Sequence, residues 1–257
     1  VSRLCGRVAL VTGVSRRRGI GFAVCRELAA RGAEIFFTGW RAYDGETPWG
    51  AESDDPAALL VELRGFGIRA ASLEADLSLP ETPARLLEEA ERELGPPAIL
   101  VNNAAYSTRD GYRALDASTL DAHYAVNVRG ALLLAAEFAR RFSGESGRII
   151  NLTSGQSLGP MPEELAYAAT KGAVEAFTAA LAAGVAEKGI TVNAVNPGPT
   201  DTGWMSEDLK RELLPRFPFG RIGRPEDAAR LVAFLASDEA AWITGQVIHS
   251  EGGFLRG

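Results

Sequence analysis

Short apolar runs rich in Val and Ile recur along this chain, separated by longer stretches whose apolar positions repeat at helical spacing. A run of that length bounded by glycines or polar turns reads as a strand. Strands that alternate with helices join in parallel, because the crossover must return to the same end of the sheet. Such runs occupy residues 8–12, 34–38, 68–73, 99–102, 148–153, 190–195 and 246–249. The alternation predicts an α/β fold: a doubly wound parallel sheet of these seven strands, flanked by helices on both faces.

With 257 residues and 46% apolar content the chain can bury a large core, and no linker, repeat or low-complexity tract divides it. A single domain over 1–257 is expected. Residues 41–55, rich in Gly, Pro, Asp and Glu, read as a long interior loop, a length at which loops are commonly functional. A net charge of −6 argues against nucleic acid or an anionic membrane as a partner, and no segment has the roughly 18 uninterrupted apolar residues of a span. A soluble cytoplasmic protein is expected. Two cysteines and two histidines are too few and too scattered for a disulfide framework or a metal site. Cys5 and Cys25 are expected as buried thiols, and His123 and His249 in structural roles.

The first strand runs into V-T-G-V-S-R-R-R-G-I-G at 11–21 and then into a helical pattern. A strand, a glycine turn and a helix N-terminus together make a cradle for a pyrophosphate. Gly13 permits the tight turn, Gly19 and Gly21 allow close backbone approach, and the outward amides favour negative charge. Arg16, Arg17 and Arg18 in an otherwise acidic chain are better explained by a phosphate than by solvent.

Tyr167 and Lys171 are four apart in Y-A-A-T-K, so a helix would set phenol and ammonium on one face. An isolated phenol titrates near roughly 10, and a nearby cation would draw that down toward working pH. Alone, such a pair is commonly a solvated helix face. Ser154, thirteen residues earlier at the end of the run R-I-I-N-L-T, changes the reading.

With these elements in place the chain resembles the short-chain dehydrogenase/reductase family over nearly its whole length. Thr12-Gly13 with Gly19-Ile20-Gly21 is similar to the family's coenzyme turn, and Asp76-Leu77 to its adenine-contacting pair. Asn102-Asn103-Ala104-Ala105 is similar to its fourth-strand motif, and Pro197 to Thr202 to its nicotinamide loop. The stretches 221–227 and 243–254 resemble the 3-oxoacyl-[acyl-carrier-protein] reductase-like members. The first turn is two residues longer than usual, and Ser250-Glu251 stands where V-D is frequent. The longer turn is shared with enoyl reductases, but those place more residues between Tyr and Lys, so the spacing here favours carbonyl reduction.

The resemblance implies a Rossmann-type fold and hydride transfer between a nicotinamide coenzyme and a carbonyl or alcohol. It makes Tyr167 the general acid, Ser154 the hydrogen-bond partner of the substrate oxygen, and Lys171 the ribose ligand that lowers the tyrosine pKa. Asn127 would hold a water joining the lysine to solvent. Ser15, Arg16, Arg18, Gly19, Ile20 and Gly21 would surround the phosphates, Asp76 and Leu77 the adenine, and Asn103, Ala104 and Ala105 the ribose wall. Pro197, Gly198, Thr200 and Thr202 would meet the nicotinamide. NADP(H) is the expected coenzyme, with Arg16, Arg18 or Arg41 on the 2′-phosphate; Asp44, placed on the ribose, would favour NAD(H) instead. The substrate pocket is expected from 105–113, 156–161 and 202–219. A homotetramer is expected, through a helix over 116–142, the Tyr167 helix and the final strand. The alternatives are an NAD-linked alcohol or polyol dehydrogenase and a non-catalytic dinucleotide sensor.

Overall fold

A computed structural model describes residues 4–47 and 56–256. Among them β1 (Val8–Thr12), β2 (Glu34–Gly39), β3 (Ala70–Glu74), β4 (Pro97–Asn102), β5 (Gly147–Leu152), β6 (Ile190–Asn196) and β7 (Val247–His249) pair in parallel. The sheet order is β3-β2-β1-β4-β5-β6-β7. The third strand starts two residues later than the 68–73 expected, because a turn around Gly67, at φ +79°, carries the preceding helix ending through that segment.

Period-two alternation buries both faces of the sheet. In β1, Ala9 and Val11 join one core with Phe22, Val24 and Leu28 of α1 (Ile20–Ala30). Val8 and Leu10 join the other, with Leu86 and Leu87 of α4 (Thr82–Leu94) and Leu134 and Phe138 of α7 (Ala131–Arg141). Between α1 and α4 lie α2 (Arg41–Glu46) and α3 (Pro56–Arg64), and α5 (Gly111–Ala114) and α6 (Ala117–His123) precede α7. After β5 come α8 (Leu165–Val185), α9 (Glu207–Leu213) and α10 (Pro225–Leu235), the last packed beside α1. No helix among the described residues is long and apolar enough to cross a membrane.

Chain order reverses between β1 and β4, so the loops at their C-terminal ends part and leave a crevice, the usual ligand position in such sheets. A buried amide network fixes the crevice floor to α8. Asn102 donates to Asn151 at 2.9 Å, and Asn151 donates to Thr178 at 2.9 Å.

Three expectations change here. The loop over 41–55 begins with α2, and its remainder from 48 lies outside the described residues. The helix over 116–142 is interrupted by a π-helical turn, Tyr124–Gly130. Gly130 allows that turn to press on the loop after β3: a Cβ there would lie 2.4 Å from the Leu77 carbonyl oxygen. Cys25 is buried, but Cys5, in the turn before β1, is exposed.

Candidate active site

A cleft of about 600 Å³ opens at the C-terminal ends of β1, β2 and β4. It brings together Gly13, Ser15, Arg16, Gly19, Ile20, Asp76, Leu77, Asn103, Ala104, Ala105 and Thr202 of the expected coenzyme residues. Gly13, at φ +73°, lies so near the end of β4 that a Cβ would come within 2.6 Å of Ala104 Cα. Asn103 ties the two segments by donating to the Thr12 and Gly13 carbonyls at 2.9 and 3.0 Å. Gly21 has a different reason from the one expected. Its missing side chain admits the Gly13 carbonyl oxygen, 2.6 Å from where a Cβ would sit, so it serves helix–turn packing and does not line the cleft.

The cleft fits a dinucleotide on three observations. It has the volume of a cofactor site. The N-terminus of α1 faces it without a side-chain cap, leaving backbone amides for an anion. Asp44 lines the cleft and is buried, and its Oδ2 has no hydrogen-bond partner among the described residues. Asp76 also lines the cleft, while its Oδ1 accepts from Ser78 N at 2.8 Å, the turn-capping role common for Asp after a strand.

The arginines divide. Arg16 spans the cleft mouth, its Nε 3.4 Å from Asp44 Oδ1 and its Nη1 3.3 Å from the Thr202 carbonyl. Arg17 pairs with Glu62. Arg18 reaches toward Gly203 and Asp201, away from β2. Arg41 does not line the cleft. It opens α2 on the exposed side with its backbone N–H on Glu74, while Ala42, Tyr43, Asp44 and Glu46 border the cleft and of these Asp44 alone is buried.

Beyond the cleft, Tyr167 and Lys171 share one face of α8, with the ammonium 5.4 Å from the ring centre. Ser154, just past β5, stands near enough to Tyr167 for its hydroxyl to draw the phenol's pKa down. Lys171 is 3% exposed and donates to the Leu152 carbonyl at 2.7 Å; burial lowers its pKa to about 8. The Tyr167 phenol is pushed above its ordinary value by burial and by the Glu164 charge, against the opposing pull of the Ser154 hydrogen bond. Burial and the Glu164 charge thus set a direction opposite to the lowering expected from Lys171.

Asn127 sits in the π-helical turn with both N–H groups used by the protein. It donates to the Tyr106 carbonyl at 2.9 Å and to Thr170 Oγ1 at 3.0 Å, and its Oδ1 accepts from Tyr106 N at 2.7 Å. It holds the loop after β4 to α8. Past β6, Gly198 takes φ +64°, and Thr200 Oγ1 bonds within its own loop to the Pro197 and Gly198 carbonyls. Pro197, Gly198 and Thr200 lie outside the cleft lining, and Thr202 within it.

A family model described as enoyl-(acyl carrier protein) reductase matches residues 13–255. The uncharacterized oxidoreductase YjdA of Bacillus subtilis is 54% identical over 254 residues, covering 98% of each chain. The chain belongs to the short-chain dehydrogenase/reductase family. A chloroplastic NADPH-dependent aldehyde reductase-like protein of Arabidopsis thaliana is 38% identical, covering 98% of this chain and 95% of its own. The crystal structure of a blue fluorescent protein from a metagenomic library in complex with NADPH matches with a TM-score of 0.88 at 33% identity, covering 99% of this chain and 100% of that one.

In this short-chain dehydrogenase/reductase the sequence reading passed over the residues that brace the site from a distance. Tyr43 of α2 packs against Tyr106 in a tilted pair, 5.4 Å between ring centres and 49° between planes, and Tyr106 meets the His123 ring edge-on at 4.8 Å. Ser107 N donates to the Tyr43 hydroxyl at 3.2 Å, and Thr108 N to His123 Nε2 at 3.2 Å. His123 is structural, as expected. The aromatic character of 43 and 106 was visible in the sequence; their pairing across more than sixty positions was not.

Proposed function

We propose that the protein is an NADP(H)-dependent reductase of ketones or aldehydes, with Tyr167 as the general acid. The observation that carries this is the placement of Tyr167 and Lys171 on one face of α8, the ammonium 5.4 Å from the phenol ring centre, beside Ser154 at the end of β5. When bound, the coenzyme supplies the hydride; the chain's part is to orient the carbonyl and deliver a proton to its oxygen. Ser154 orients that oxygen, Tyr167 Oη releases its proton to it, and Lys171 donates to the nicotinamide ribose. The short Tyr–Lys spacing supports carbonyl reduction over the enoyl reduction in the family model's description.

Preference for NADP(H) rests on Arg16, whose guanidinium stands on the adenosine side of the cleft and suits a 2′-phosphate. The NADPH named for both the Arabidopsis relative and the solved neighbour agrees with it. One observation favours the second reading, an NAD-linked alcohol or polyol dehydrogenase: Asp44 Oδ2 is a buried acceptor on the same wall, suited to a ribose hydroxyl. A coenzyme-consumption screen across ketones, aldehydes, 3-oxoacyl thioesters and polyols, with Tyr167→Phe as control, separates the two. NADPH-linked turnover of carbonyls supports the proposal; turnover confined to NAD⁺ with polyols refutes it.

We also propose a homotetramer. Trp242, in the turn that leads toward β7, is 99% exposed, and the family resemblance puts the final strand in a subunit contact. Light scattering that finds a monomer at assay concentration overturns this.

A further inference from the structure

The catalytic helix lacks a cap of its own. Glu164, the residue before α8, has φ −140° and ψ 51°, and its side chain accepts nothing from the first turn. A helix start needs acceptors for its leading amides, and Ala166 is fully buried, so water cannot supply them. The acceptor comes from far upstream. Asp110, 6% exposed in the loop after β4, accepts from Leu165 N at 2.8 Å through Oδ1 and from Ala166 N at 2.8 Å through Oδ2. Oδ1 also accepts from Gly111 N at 3.0 Å, and Asp110 N donates to the Glu163 carbonyl at 3.0 Å. Gly111 takes φ +50° to make this turn, and a Cβ there would sit 3.2 Å from Glu163 Oε2.

We infer that Asp110 is a positioning residue for the proton donor, holding the first turn of α8, and with it Tyr167, from across the cleft loop. The inference rests on Tyr167 being the general acid, as proposed above. Tyr167 is the third residue of α8, immediately after the two amides Asp110 holds. Lys171 lies one turn deeper, fastened separately to Leu152. Loss of the cap therefore loosens the phenol against Ser154 while the ammonium keeps its place. The Asp110 loop is itself held at Tyr106 by Asn127, at Ser107 by Tyr43 and at Thr108 by His123. The carboxylate is thus presented from a braced segment. Burial alone would raise its pKa, but the amides of Ala166, Leu165 and Gly111 and its own N–H together hold it below the ordinary carboxylate value, so the cap is charged at neutral pH.

The test uses the full chain with Asp110→Ala, Asp110→Asn and Tyr167→Phe, and the Asp110→Ala/Tyr167→Phe double variant. kcat, coenzyme Kd by fluorescence quenching, and Tm are measured for each. Asp110→Ala is expected to lower kcat at least about tenfold with coenzyme Kd within about twofold of wild type, a loss confined to the catalytic step. Asp110→Asn, which keeps one oxygen for Leu165 and Gly111, is expected to lose only about threefold. In the Tyr167→Phe background Asp110→Ala is expected to cost nothing further. A kcat within about twofold of wild type, a Kd that rises in step with the loss, or a further loss in the Phe background overturns the inference. If Asp110→Ala does not fold, Asp110→Asn decides by the same kcat and Kd criteria. Turnover that survives Tyr167→Phe sinks the functional reading and this inference with it. Turnover lost in Tyr167→Phe but kept in the Asp110 variants sinks this inference alone.

Discussion

The Ser154–Tyr167–Lys171 end of the site and the adenosine end of the cleft beside it are built in different ways. At the catalytic end Ser154 sits at the tip of a central strand, and Tyr167 and Lys171 are one turn apart on a 21-residue helix. Their spacing comes from regular structure, and the buried Asn102–Asn151–Thr178 network locks strand to helix. At the adenosine end the polar groups are brought together by side chains reaching over a turn. Arg16 meets Asp44 of the six-residue α2 across 3.4 Å. Regular elements set geometry to within a fraction of an ångström, whereas arginines on loops re-pair readily, so on the function proposed above chemistry would be held at the first end and selection tuned at the second.

The largest expected effect breaks the rigid end. Tyr167→Phe should lower kcat by roughly 10²–10⁴-fold with coenzyme affinity nearly unchanged, because only the proton donor is removed. More than about a tenth of wild-type kcat remaining would show that the proton comes from elsewhere.

Next comes Lys171→Ala, which should weaken coenzyme binding as well as kcat, each by roughly tenfold, since one ammonium serves ribose and phenol. Burial has lowered the Lys171 pKa to about 8. A base with a lowered pKa loses its charge as pH rises through that value, so wild-type coenzyme Kd should be flat below about pH 8 and climb above it. The climb should vanish in Lys171→Ala; a wild-type Kd level up to pH 10 would contradict the ribose role.

At the tuned end the contrast is between two arginines. Arg16→Ala should reduce kcat/KM for NADPH about tenfold and leave NADH little changed, as for loss of one charge-assisted contact of about 1.5–3 kcal/mol. Arg41→Ala, outside the cleft, should change neither by more than about twofold. Reversed effects would return the phosphate contact to Arg41.

The smallest effect sharpens the comparison. Asp44→Asn keeps the side chain's size while removing the charge that holds Arg16, and should raise the NADPH/NADH ratio of kcat/KM about threefold. A fall in that ratio would mean that Asp44 acts mainly to place Arg16.

The catalytic end was legible because its cues are local. An i, i+4 pair, a serine at the end of an apolar run and a glycine turn between strand and helix each lie within one element and its neighbour. The adenosine end was half legible. The arginine cluster marked an anion site, but which arginine faces the cleft depends on α2, which begins where a loop was expected and turns Arg41 outward and Asp44 inward. Asn127 was found by resemblance; its engagement with Tyr106 follows from a π-helical turn that spacing does not announce. Asp110 carried no local signal at all, since the amides it caps are 55 and 56 residues away.

By itself the sequence determined the strand–helix alternation, hence a parallel sheet buried on both faces, and the spacing of the residues that share α8. Hydrophobic periodicity and helical geometry act over a few residues, so they can be read along the chain. Only the tertiary structure decided which groups meet across it: Arg16 with Asp44, Asp110 with the catalytic helix, Gly130 under Leu77. It also decided the direction in which the Tyr167 pKa moves. A phenol's pKa depends on how far water is excluded from it, and burial is a property of the packed molecule, so the Tyr167 pKa is raised where the Lys171 charge alone was expected to lower it.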